Sequence, residues 1–365
     1  MSNRNREQAF RVFQKHLSHL VRTQPKNKLW KIDAGGVIAP ALATIAPASR
    51  QTRKNVANVM PKLRNHASRN DALRMALEGA VAAGGEPNNT WARRVMGFLH
   101  FGADPNMFAG GHTVLHVAAD VGNLDLLNAA LDCGADPNIH NEEVWTPLMA
   151  AASVNHDRIV SRLLDAGADP DRQERWSGRT ALAIAVLHQH EGVVRELMKG
   201  KANPNISPIH YSPVLISAVR IYPESEAEPM VAMLLEGNAD PNIRSQFGDD
   251  RGRTALTISL HRPRVVSLLL KFNANPNQRN RDGETPLMEV ATEAQTLAQT
   301  KPFSSWPSVA NDYRDSARAL LAAGATPSLR GLDPATIDPE ILEMVKETAK
   351  PPPPRRNPKR QRRVS

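Results

Sequence analysis

Cysteine is almost missing from this chain of 365 residues: Cys133 stands alone. A single thiol excludes an intramolecular disulfide framework, and its lack of partners fits a reducing intracellular compartment. Long hydrophobic runs are missing too. The apolar stretch Gly36–Pro47 is too short and too broken by proline to span a bilayer. No hydrophobic leader segment follows Met1. The chain has no Gly-rich phosphate loop, no nucleophile elbow and no paired-carboxylate motif. His188-Gln189-His190 alternates instead of taking helical i, i+4 spacing, and no Cys/His cluster accompanies it. No catalytic residue, metal ligand set or cofactor is therefore expected, and attention moves from enzyme chemistry to binding. Aromatic residues make up only 4% of the chain, so their positions carry information.

Acidic residues are scarce at the two ends and nowhere else. The formal net charge is +9. Residues 1–70 hold fourteen Lys/Arg against only Glu7 and Asp33, and residues 350–365 hold seven Lys/Arg and no acid. Residues 71–349 are left with 25 basic and 35 acidic side chains, a balance of −10. The interior is acidic and only the ends are basic, so a polyanion would be met by the ends.

What is present is a repeat. GADPN occurs at Gly102–Asn106 and Gly134–Asn138, GADPD at Gly167–Asp171, KANPN at Lys201–Asn205, NADPN at Asn238–Asn242 and NANPN at Asn273–Asn277. A weaker copy, GATPS, closes the series at Gly324–Ser328. The first five intervals between the prolines are 32, 33, 34, 37 and 35 residues, and the last is 51. A period near 33 residues marks stacked units that each contact their neighbours, not one closed core. In phase with it run Thr113-Val-Leu-His116, Thr146-Pro-Leu-Met149, Thr180-Ala-Leu-Ala183, Ser212-Pro-Val-Leu215, Thr254-Ala-Leu-Thr257 and Thr285-Pro-Leu-Met288. Alanines follow at once, and leucine-rich runs such as Leu126-Leu127 and Leu163-Leu164 come about two helical turns later.

This order resembles the ankyrin repeat over about residues 70 to 330. The resemblance implies an all-α solenoid of stacked helix-turn-helix units with short finger loops, six to seven repeats plus a C-terminal cap, flanked by basic tails. Each motif element has a physical reason. Proline is tolerated at the first helical position, where its missing N–H would be unpaired anyway. Alanines let paired helices approach closely, and the leucines form the stripe that stacks on the next repeat. The glycine suits a left-handed C-cap, and Asp-Pro-Asn stops the helix and turns the chain. In the family the histidine of the T-P-L-H motif bonds backbone between repeats, and here only His116 occupies that place.

Four segments are expected: a basic, partly helical stretch over 1–70, the array over 71–328, a cap helix within 329–349 and a basic tail over 350–365. The first repeat is degenerate, with Asp71–Leu77 and Val95–Leu99 in the two helical slots. The insert around Gln295–Asp312, punctuated by Pro302, Ser304, Ser305 and Pro307, reads as a loop. Asp338 before Pro339 reads as a helix start. Ala9, Phe10, Phe13, Leu17, Leu20 and Val21 fall at helical spacing, as a cap on the array or as an amphipathic surface helix would require. Arg355-Arg356, Lys359-Arg360 and Arg362-Arg363 resemble a nuclear localisation signal, recognised by an import factor or a polyanion; a merely solvated tail is the other reading.

The resemblance also implies where a partner binds. In ankyrin arrays the residue before each motif threonine points into a concave face lined by fingers and first helices. That ladder here is His112, Trp145, Arg179, Tyr211, Arg253 and Glu284. Successive fingers carry Phe108, Trp145, Trp176, Tyr211 and Phe247, and Trp, Tyr and Arg are the types enriched in interface hot spots. The candidate partner-binding set is His112, Trp145, Trp176, Arg179, Tyr211 and Arg253. The expected function is a non-enzymatic interaction scaffold or adaptor, cytoplasmic and nuclear, without a transmembrane segment. Two alternatives are a host-directed effector of an intracellular bacterium or virus, and a nucleic-acid-associated protein that uses its basic tails.

Overall fold

The computed structural model describes residues 66–349 apart from 83–89, 101, 210, 222, 247–250, 301–305, 333 and 336. The amphipathic stretch at 9–21, Phe247 and the basic clusters at 355–363 lie outside the described residues. Among the described residues the regular elements are all α-helices, and β structure is limited to two isolated bridges, Ala109 with His112 and Arg244 with Thr254. The chain divides into two compact units, Met1–Asn203 and Pro204–Ser365.

The first unit holds α1 (His66–Ala82), α2 (Thr90–His100), α3 (Val114–Asp120), α4 (Leu124–Asp132), α5 (Pro147–Ser153), α6 (Asp157–Asp165), α7 (Ala181–Leu187) and α8 (Glu191–Lys199). They form four helix pairs. The first helices α1, α3, α5 and α7 stack on one another, as do the second helices α2, α4, α6 and α8. The reason is readable in each helix. Thr146 and Thr180 accept from the amides of Met149 and Ala183, both at 3.2 Å, and so start α5 and α7. Ala118, Ala119, Ala151, Ala152 and Ala185 are buried where helices approach closely. Leu126, Leu127, Leu163, Val193, Val194 and Leu197 are fully buried on the second helices.

The second unit holds α9 (Val214–Val219), α10 (Glu224–Glu236), α11 (Ala255–Ile258), α12 (Pro263–Lys271), α13 (Pro286–Thr300), α14 (Trp306–Ala322) and α15 (Pro339–Thr348). The same stacking recurs: α9 with α11, α11 with α13, α10 with α12 and α12 with α14. Helix α15 packs on α14 through Ile341 and Val345. Its N-cap Asp338 accepts the amides of Glu340 and Ile341 and pairs with Arg314 at 2.8 Å. One expectation is corrected here. Gln295–Thr300 and Trp306–Asp312 are not loop: they lengthen α13 and α14. The run Glu293–Thr300 is built largely of good helix formers, so α13 continues beyond the usual two turns.

Each second helix from α2 to α14 ends the same way. The C-cap glycines have positive φ, +86° at Gly102, +90° at Gly134 and +88° at Gly167 and Gly324. Lys201, Asn238 and Asn273 take the equivalent place at +63°, +66° and +65°. The turn residues then do more than stop the helix. Asp104, Asp136, Asp169, Asp240 and Asn275 each accept from the amide two residues on, closing an Asx turn. The last residue of each motif reaches the next repeat. In the first unit Asn106 accepts from Asp136 N–H at 2.8 Å, Asn138 from Asp169 at 2.7 Å and Asp171 from Asn203 at 2.8 Å. In the second, Asn205 accepts from Asp240, Asn242 from Asn275 and Asn277 from Thr326, each at 2.7 Å. The asparagines also donate: Asn138 to Gly167 O at 2.9 Å, Asn205 to Asn238 O at 2.9 Å and Asn277 to Gly324 O at 3.0 Å. Asp171 has only acceptors and cannot make this second bond.

Candidate functional site

In the first unit the fingers precede α3, α5 and α7. The finger before α7 is organised by a residue that sequence reasoning missed. Glu174 is 5% exposed and accepts from the amides of Trp176 and Ser177 at 2.7 and 2.8 Å, and from the Ser177 hydroxyl. Burial alone would raise its carboxyl pKa, but the hydrogen bonds from Ser177 and the finger amides outweigh burial and hold it below the ordinary value. Glu174 N–H donates to Arg179 O at 3.0 Å and Gly178 N–H to Glu174 O at 3.1 Å, so the loop closes on itself. Trp176 sits at its tip, 68% exposed. The Arg175 guanidinium lies 5.8 Å from the indole centroid. Arg175 N–H also donates to Glu143 O at 2.9 Å, which ties this finger to the one before it.

That neighbouring finger carries backbone strain. Asn141 accepts from the amides of Glu143 and Trp145, both at 3.0 Å. The resulting turn puts Val144 at φ +59°, where the fingers before α3, α7, α11 and α13 have Gly111, Gly178, Gly252 and Gly283. A β-branched residue in the left-handed region is strained by roughly 1–3 kcal/mol. The turn delivers Trp145, half-buried, to the start of α5. The Trp145 carbonyl is 2.9 Å from His116 Nε2, and the other ring nitrogen of His116 accepts from the Thr113 amide at 3.3 Å and lies 2.9 Å from its hydroxyl. That pattern assigns the proton to Nε2. Burial pushes the His116 pKa down to about 4, with repulsion from His112 and His140 adding to it and the Trp145 carbonyl opposing it. His112 itself is half-buried, its ring 6.0 Å from that of His116.

The predicted residues therefore differ in what they offer. Trp176 is free at a fixed tip, with Phe108 44% exposed on an earlier finger. His112 and Trp145 present only part of their rings. Arg179 lies 3.6 Å from Glu174 and serves the finger as well as any partner. Val154 and Leu187, near the ends of α5 and α7, are exposed apolar side chains of the same unit.

In the second unit Tyr211 is 40% exposed and Ile209 beside it 53%. Arg253 is engaged: it donates to Glu289 Oε2 at 3.0 Å and Thr257 O at 2.9 Å, and lies 3.6 Å from Glu293. Burial pushes the Glu289 carboxyl up to about 7 despite Arg253. Three further side chains missed by sequence reasoning bind carbonyls of the preceding repeat from the start of a second helix. His156 reaches Asp120 O at 3.2 Å, His190 reaches Ala152 O at 2.9 Å, and Arg262 donates to Val219 O and Ile221 O at 2.5 and 2.6 Å. Their shared position two or three residues before the apolar run of the second helix was the available signal.

Among the described residues no group of His, Cys, Asp and Glu side chains is arranged as metal ligands, and no helix is long and apolar enough to cross a membrane. Burial pushes the Cys133 thiol up to about 11, which leaves it protonated and unreactive.

Comparison with known proteins gives one family match and a set of structural likenesses. The family model described as ankyrin repeats (3 copies) matches residues 98–207. No curated protein sequence matches the chain. Among solved structures, the ankyrin repeat domain of Bcl-3, titled a unique member of the IkappaB protein family, is 24% identical, with 65% of this chain and 99% of that one covered and a TM-score of 0.49. An ankyrin repeat domain from Acinetobacter baumannii AYE is 24% identical, with 57% and 97% covered and a TM-score of 0.47. Ankyrin repeats as a class mediate protein–protein interaction. The family match identifies residues 98–207 as ankyrin repeats, and the same helix pairs, caps and asparagine bonds recur in the second unit.

Proposed function

We propose that the chain is an interaction scaffold whose first unit captures a partner protein with its fingers and first helices. Trp176 and Trp145 are the anchors and His112 and Arg179 their polar surround; in the second unit Tyr211 and Arg253 play the corresponding part. The observation that carries this reading is Trp176: a 68% exposed indole held at a loop tip by a buried carboxylate. Folding does not require an exposed indole there. A loop whose conformation is already set loses little entropy on binding, so its contact surface translates into affinity. The test is capture of partners from the native cell by the wild-type chain and by the double variant Trp145→Ala, Tyr211→Ala, with Trp176→Ala alone beside it. Loss of the same partner in both, with folding retained, supports the reading; retention sinks it.

The basic clusters Arg355-Arg356, Lys359-Arg360 and Arg362-Arg363 are assigned a separate role, recognition by an import factor or a polyanion. What supports it is seven positive charges and no acid within 350–365. Removing Pro351–Ser365 should lower nuclear accumulation or flatten the salt dependence of polyanion binding; no change in either would leave a solvated tail.

A further inference from the structure

We propose that Ala9–Val21 of this chain docks as a basic amphipathic helix on the exposed ends of the first helices α3, α5 and α7 of its own unit. The receiving surface is an apolar row. Val121 follows α3, Val154 follows α5 and Leu187 ends α7, and the three helices stack in that order. Val154 and Leu187 are each 39% exposed, and Val121 is half-buried. Aliphatic side chains left facing water near the same level of successive repeats gain by being covered. Asp120 stands beside this row, and Glu142 and Glu143 lie on the finger leading into α5. All three are exposed, and none makes an ion pair among the described residues. The arginines of the next finger are engaged, Arg179 lying 3.6 Å from Glu174 and Arg175 over the Trp176 ring.

The segment fits that surface in pattern, charge and reach. Phe10, Phe13, Leu17, Leu20 and Val21 recur at helical spacing, and residues 8–22 hold Arg11, Lys15 and Arg22 with no acid. A helix of about a dozen residues is marginal alone in water and needs a surface for its apolar stripe. At about 1.5 Å per residue, Ala9 to Val21 covers about 18 Å. Stacked helices lie about 8–10 Å apart, so α3 and α7 are separated by about 16–20 Å. Residues 1–70 hold fourteen Lys/Arg against two acids, whereas 71–203 hold eleven Lys/Arg against seventeen Asp/Glu. Opposite charge therefore draws the segment to the repeats. Between Val21 and His66 lie 44 residues. A coil of that length reaches on the order of 35 Å, and the three stack spacings from α1 to α7 come to about 24–30 Å.

The open end of the array offers less. On α1 the exposed large apolar side chain is Met75, and Asp71 and Glu78 are already paired with Arg74 at 3.5 and 3.9 Å. A helix capping α1 would meet one exposed methionine and carboxylates already in ion pairs. Docking on α3, α5 and α7 instead lays the segment across the first helices assigned above to a partner protein. The docking stands without that assignment. Its consequence, that the segment competes with the partner, rests on it.

The test places photoreactive benzoylphenylalanine at position 13 of the full chain, in place of Phe13. The chain is irradiated at low micromolar concentration and the links are mapped by mass spectrometry. Links within one molecule to peptides containing Val154 or Leu187 are expected. The double variant Val154→Asp, Leu187→Asp should lower their yield about fivefold or more, and Met75→Asp should leave it within about twofold. Phe10→Ser, Leu17→Ser changes no residue of the array, so its folding is not in question, and it should lower the yield to the same extent. Glu142→Lys, Glu143→Lys should lower it as well. Links to α1 or α2, links only between molecules, or no link would each overturn the proposal. So would a yield that neither Phe10→Ser, Leu17→Ser nor Val154→Asp, Leu187→Asp reduces. Capture of a partner should rise with Phe10→Ser, Leu17→Ser. Capture unchanged, with the links to Val154 and Leu187 present, would count against the partner surface and leave the docking standing.

Discussion

His116 Nε2 and the Trp145 carbonyl meet at 2.9 Å and join consecutive repeats through a buried neutral imidazole. This bond depends on charge state, because a protonated ring would lose the acceptor that takes the Thr113 amide. Its folded pKa of about 4 lies below the ordinary 6.5. The unfolded chain therefore takes the proton first. Stability from this residue is complete above about pH 6.5 and declines as pH falls towards 4, by about 3 kcal/mol in all. Urea midpoints at pH 7.5 and pH 5 should differ in this direction, and His116→Gln should reduce the difference.

Glu289 has the opposite sign. Its folded pKa of about 7 lies above the ordinary 4.5, so the folded chain holds the proton where the unfolded chain releases it. The stability is present below about pH 4.5 and is lost as pH rises through 7. At pH 8, Glu289→Gln should stabilise the second unit by on the order of 2 kcal/mol. Thermal melts of the two proteins at pH 8 and pH 5 measure it, with the gap closing at the lower pH.

Val144→Gly should remove the strain at φ +59°. Relief of about 1–2 kcal/mol is partly offset by the extra freedom of glycine in the unfolded chain, leaving a gain of roughly 0.5–1 kcal/mol. Chemical denaturation at pH 7 would detect it. A destabilised variant would mean that valine side-chain packing outweighs backbone strain.

Asp171→Asn should supply the donor that Asn138 and Asn277 use at the same position. One added exposed hydrogen bond is worth about 0.5–1 kcal/mol, and amide exchange near Lys201 should slow.

Leu163→Ala and Trp176→Ala should separate folding from recognition. Leu163 is fully buried on α6, and its truncation should cost about 2–5 kcal/mol through the cavity left behind. Trp176 is largely exposed, so its loss should change stability by no more than about 0.5 kcal/mol. Capture of a partner should fail with Trp176→Ala at temperatures where both proteins remain folded. Equal unfolding of the two variants would make the indole a structural residue.

Much of this architecture was legible in the chain because its causes are local. A threonine cap, a first-turn proline, a left-handed glycine and an Asx turn each act within a few residues, and repetition makes the pattern unmistakable. The helices at Pro147–Ser153 and Asp157–Asp165 follow from such signals. Where local signals conflicted, the reading was too broad: a loop was expected over Gln295–Asp312, yet α13 runs to Thr300 and α14 starts at Trp306.

The pairing of side chains was decided by stacking. Arg179 and Arg253 are alike in sequence, both preceding a motif threonine, but one meets a buried glutamate of its own finger and the other a glutamate 36 residues ahead. Nothing local assigns a role to His156 or His190; each bonds a carbonyl that only the preceding repeat brings to it. Sequence alone determined the repeat, its caps and its turns, since these are set by backbone preferences of short segments. Only the tertiary structure decided which polar groups are buried, which are paired and which are left open, because desolvation and hydrogen-bond partners exist only once one repeat lies against the next.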